Sequence, residues 1–108
     1  LNRALALTYQ NHAAEVLSKA IAAFRAGDFT LPSLAFRVAA TLEELSPSLP
    51  AEAARKALDC AYLIEEVNAV ALENGVVPSS HELAGVESAL RTIESLLHEH
   101  LPEDDDLA

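Results

Sequence analysis

The chain has 108 residues, enough for one hydrophobic core and too few for two. Hydrophobic residues make up 51% of it and aromatics only 5%, which excludes a disordered chain and points to Ala- and Leu-rich helices packed closely. Seventeen acidic residues against seven basic ones give a net charge of −10, and with no basic run or stripe direct nucleic-acid binding is not expected. The same balance suits a basic protein partner, or serves solubility alone.

Four helical segments succeed one another, and nothing alternates with the period of two that a strand requires. The first runs from about Asn2 to Ala26. Gly27 suits the left-handed position that closes it, with Asp28 in the turn. Leu5, Tyr9, Ala13, Val16, Leu17, Ala20, Ile21 and Phe24 cover about half of its circumference, wider than the ~100° stripe of a helix facing one core. Two neighbours, or one neighbour and a second chain, are needed to cover them.

The second segment is shorter, from about Leu31 to Leu45, with Thr30 as N-cap and Pro32 in the first turn. Leu31, Ala35, Val38, Leu42 and Leu45 form its apolar seam, and Phe36 lies off that seam. Ser46-Pro47-Ser48-Leu49-Pro50 then breaks the chain, and Ser48 is placed to cap the third helix.

The third segment, Pro50 to Asn74, reads as apolar around most of its circumference, with Glu65 and Asn68 inside the apolar arc. An unpaired buried polar group costs about 1–3 kcal/mol, so each is expected to meet a partner. Cys60 is the only cysteine, which excludes an internal disulfide and a cysteine-cluster metal site, and it reads as a buried structural thiol. Gly75 ends the helix, and Val76-Val77-Pro78 is the connector.

Ser79 opens the fourth segment through a capping box with Glu82. Leu83, Val86, Leu90, Ile93 and Leu97 carry its apolar face, and Pro102 ends it. Short connectors make consecutive helices neighbours. The expected fold is therefore all-α, an antiparallel up-down-up-down four-helix bundle with a short second helix. Residues 1–102 form one domain, and residues 103–108 form an acidic, solvated tail. The short second helix leaves apolar surface uncovered on the first and third, which predicts a two-fold homodimer. No segment reaches the roughly 18 consecutive apolar residues of a membrane span. The first ten residues lack the apolar core of a signal peptide, so a cytoplasmic location is expected. Leu1 is not an initiator residue, which leaves room for upstream sequence.

Two groups of residues are candidate sites. Tyr62, Glu65 and Asn68 are three apart and share a helix face. They form either a small proton-handling pocket around a buried Glu65 or a polar contact that fixes register at a helix or dimer interface. Phe24 and Phe36 are the candidate anchors of that interface. On the fourth helix, Glu87, Arg91, Glu94 and His98 make a charged stripe, with Glu87–Arg91 and Glu94–His98 each spaced for pairing.

Arg91 and His98, two turns apart, resemble the Arg-then-His motif of HEPN-type helical ribonucleases, which are also dimeric helical bundles. The resemblance covers these two residues and the general architecture. Thr92 stands at the polar position directly after the arginine. It implies an alternative function: a helical nuclease or other hydrolase using Arg91 and His98, with Glu65 as an acid–base group.

Metal and cofactor chemistry find no pattern. No glutamate has a histidine three residues later, and His98 and His100 fall on different helix faces. His12 and His81 are isolated, and there is no nucleophile elbow or Gly-rich phosphate loop. No metal and no cofactor are expected. The primary expectation is a non-catalytic, self-associating helical interaction module of the adaptor, chaperone or antitoxin kind, with a basic protein as a further partner.

Overall fold

Helix α1 (Asn2–Arg25) leads into α2 (Leu31–Leu45), and a short 3-10 turn (Ser46–Ser48) carries the chain into α3 (Ala51–Asn74) and then α4 (Ser80–His100). The computed structural model describes residues 2–101, and the side chains of residues 12–101. Among these there is no strand, and the protein is an all-α helical bundle. Leu5 and Tyr9 fall outside the described side chains, and Leu1, Pro102 and the acidic residues 103–108 fall outside the described residues.

Local chemistry sets the helix ends. At the end of α1 the Gly27 N–H donates to the Phe24 carbonyl and the Asp28 N–H to that of Ala23, with Gly27 at φ +82°. Gly75 repeats the pattern after α3 at φ +64°, where the Val76 N–H donates to Ala71 and the Gly75 N–H to Leu72. These are paired Schellman bonds, which need a residue free to turn left-handed. The Thr30 hydroxyl accepts from the Ser33 N–H, and Ser79 and Glu82 complete a reciprocal capping box. Ser48 does not occupy the N-cap position of α3. It belongs to the 3-10 turn, and the cap position is Pro50, which has no side-chain bond to offer.

The core is a stack of aliphatic side chains from all four helices. Leu17 and Ile21 of α1, Leu34, Val38, Leu42 and Leu45 of α2, Ile64 of α3, and Val86, Leu90 and Ile93 of α4 are fully buried. Leu34 and Thr41 join the α2 seam, while Leu31 is only partly covered. Leu83, in the first turn of α4, is only partly covered, at 38% exposed. α2 packs against α1 and α3, α3 packs against α4, and α1 meets α4 more lightly. On α3 the buried positions are Ala53, Ala57, Ala61 and Ile64. Three alanines in that row let the helix axes approach closely.

That row is narrow, and it corrects the expectation for α3. The helix is not buried around most of its circumference. Glu65 is exposed, so it is no buried charge in need of a partner, and Asn68 is half-buried. Among the described residues no buried side-chain nitrogen or oxygen lacks a hydrogen bond.

Candidate functional site

The α2–α3 face arises from the stepping of residues along α3. Ala51, Arg55, Leu58, Tyr62, Glu65, Ala69 and Leu72 recur at alternating intervals of four and three, which places them in one stripe. Leu58 is half-buried against the core and the other six are exposed, so α3 carries a second seam on its outer side. Tyr62 is 60% exposed and Leu72 is 64% exposed. Beside this seam a groove of about 370 Å³ runs between the start of α2 and the end of α3. Leu31 and Pro32 line one wall, Asn68, Ala71 and Leu72 the other, and Val76, Val77 and Pro78 the end. Phe36, one turn beyond Pro32, is 74% exposed, and Val77 is 85% exposed. Large apolar side chains turned to water in one region mark contact surfaces more often than scattered ones do.

The five expected interface residues divide accordingly. Phe36, Tyr62, Glu65 and Asn68 belong to the α2–α3 side. Phe24 is half-buried and packs against the core on α1, away from the α2–α3 groove.

A second arrangement lies where α1 meets α4. The Arg25 guanidinium grips two carboxylates at once. Its Nε donates to Glu87 Oε1 at 2.9 Å and its Nη2 to Glu87 Oε2 at 2.7 Å. Its Nη1 donates to Glu94 Oε2 at 3.1 Å and its Nη2 also to Glu94 Oε1 at 2.7 Å. Arg91 adds a bond from Nε to Glu87 Oε2 at 3.1 Å, which realises the expected pairing one turn apart on α4. Two arginines and two glutamates thus form a neutral cluster. Arg25 holds the Glu87 carboxyl below the usual carboxylate range, and both carboxylates hold the guanidinium firmly protonated.

Below the cluster, a cleft of about 330 Å³ separates α1 from α4. Ala14, Leu17, Ile21, Leu97 and Leu101 give it an apolar floor, and Ser18, Glu94 and His98 stand at its rim. Glu94 faces α1, and both of its oxygens accept from Arg25.

Of the three residues of the hydrolase alternative, Arg91 and His98 share α4 and Glu65 is on α3. Arg91 and His98 are exposed on α4, and only His98 lines the cleft. Glu65 shares the flank of α3 that carries Asn68 and Leu72 beside α2. The opposite flank meets α4, where Leu63 lies against Gly85 and the Cys60 thiol meets the Thr92 hydroxyl. Burial pushes the Cys60 thiol up, Asp59 adds to this, and Lys56 one turn away opposes it. Among the described residues no three His, Cys, Asp or Glu side chains converge on a point where a metal ion could sit. Nor is any described helix long and apolar enough to cross a membrane. No family model, curated protein or solved structure matches the chain.

Two features are not evident from the sequence alone. Arg25 is one, although Glu87 and Glu94, seven apart on one helix face, offer two carboxylates to any arginine on a facing helix. The other is the outer seam of α3, which is legible as alternating steps of four and three once the Ala53 row is assigned to the core.

Proposed function

We propose that the protein is a small, non-catalytic helical interaction module that associates with itself as a homodimer through its α2–α3 face and works in the cytoplasm. One observation carries this reading: Phe36, Tyr62, Leu72, Val76 and Val77 are all more than half exposed and lie along α2, the outer side of α3 and the connector that ends it. Covering such side chains is worth about 25 cal/mol per Å² of apolar area, which gives a partner its driving force. The acidic surface adds a preference for basic proteins as further partners and speeds their encounter at low salt.

Sedimentation equilibrium tests the reading. The wild-type chain should be dimeric at micromolar concentration, and Phe36→Asp or Leu72→Asp should shift it to monomer with its helix content unchanged. A wild-type chain that stays monomeric at high micromolar concentration overturns it.

The alternative is a hydrolase built on Arg91 and His98, both exposed on α4. Under it, Arg91→Ala and His98→Ala would abolish turnover of an RNA or phosphodiester substrate. Under the interaction reading the same changes leave assembly and partner capture intact.

A further inference from the structure

The outer seam of α3 is its own complement when reversed. Pair it with a second copy running antiparallel, about a two-fold axis between residues 63 and 64, and each layer resolves. Leu58 meets the small Ala69 of the other copy. Tyr62 meets Glu65, so a phenol hydroxyl can donate to a carboxylate. Arg55 meets Leu72 and lies beside Glu73. A parallel pairing would instead stack Glu65 on Glu65 and Arg55 on Arg55, two like-charge layers in one interface, which is unfavourable. Arg55, Glu65 and Glu73 are exposed, and no ion pair within the described residues engages any of them. Their charges are therefore free to set a register between chains.

We infer that the occupant of the α2–α3 face is a second copy of this chain, docked by an antiparallel α3–α3 contact in which Arg55 of each copy pairs with Glu73 of the other. This rests on the interaction-module reading and adds partner, direction and register to it. Phe36, on α2 beside the seam, flanks the contact and excludes water from it.

Charge reversal tests the register. Arg55→Glu sets glutamates against each other at both ends of the contact, and Glu73→Arg does the same with arginines. Each variant alone should dimerise at least tenfold more weakly than wild type. Mixed together they should form a heterodimer, because glutamate then faces arginine at both ends of the contact. The double variant Arg55→Glu/Glu73→Arg should recover dimerisation to within a few-fold of wild type. All these positions are exposed, and far-ultraviolet circular dichroism confirms that each variant is folded. A wild-type dimer that both single variants leave untouched, yet Phe36→Asp breaks, overturns the register while the interaction module stands. A wild-type monomer overturns both.

Discussion

Arg25, the last residue of α1, and Glu94, in the second half of α4, are 69 positions apart in sequence and joined by two hydrogen bonds of 3.1 and 2.7 Å. The same guanidinium holds Glu87 by two more. Elsewhere α1 and α4 touch lightly, so this fork contributes disproportionately to closing the bundle. Its side chains are about one-third exposed, which weakens each pair, but the two-point geometry restores part of the strength.

Replacing Arg25 with Ala should destabilise the fold by about 1–2 kcal/mol, the range for paired arginine–carboxylate contacts that are partly screened by water. Lysine in its place keeps the charge and loses the fork, so it should recover less than half of the loss. Urea melts followed by circular dichroism would measure both. Amide exchange should quicken in α1 before it quickens in α2 and α3.

Acid should act through the same contact. Glu87 is held below the ordinary carboxylate range in the folded chain, chiefly by Arg25, so the unfolded chain takes up its proton first as pH falls. Its contribution is complete above the ordinary glutamate value of about 4.3 and disappears as pH falls through the lowered folded value. The stability of the Arg25→Ala variant should therefore depend less on pH in that acidic window than wild type does. Urea melts across the window check the difference in slope.

Two glycines should respond to alanine with opposite signs. Gly75 sits at φ +64°, where a Cβ is disfavoured by roughly 1–2 kcal/mol, so Gly75→Ala should lower the thermal midpoint. Gly85 lies inside α4 with ordinary dihedrals, and an added Cβ would find Leu63 Cδ2 at 4.0 Å, a normal contact. Gly85→Ala should stabilise by about 0.5–1 kcal/mol by removing freedom from the unfolded chain. Calorimetry of the two variants side by side reads both signs.

The capping box at the start of α4 should be worth about 1 kcal/mol, read as the loss on Ser79→Ala. Glu82 is held below the usual carboxylate range first by the backbone N–H of Ser79 and then by its hydroxyl. Glu82→Gln keeps an acceptor at that place and should cost less than Glu82→Ala. Thermal melts near neutral pH would rank the three.

The helices themselves are legible because their punctuation is chemical. Gly27, Thr30, Pro32, Gly75 and the Ser79–Glu82 box each act within a few residues, and the structure places every one of them as the spacing implies. Ser48 misleads because a serine just before a proline-led helix looks like a cap, yet Pro50 itself holds the N-cap position. Glu65 misleads for a different reason. Periodicity shows that a helix has two apolar stripes, but it does not say which stripe the chain itself covers.

Local sequence chemistry determined the four helices, all their described ends but the start of α3, and the short second helix, because each depends on residues within a few positions of one another. Tertiary structure alone decided that the Ala53–Ala57–Ala61 row of α3 faces inward and leaves the Tyr62–Leu72 stripe outside, and that Arg25 spans Glu87 and Glu94. Those outcomes depend on which helix faces meet. The meeting is settled by the total apolar area buried and by the geometry of a guanidinium between two carboxylates, and neither is written in any short stretch of the chain.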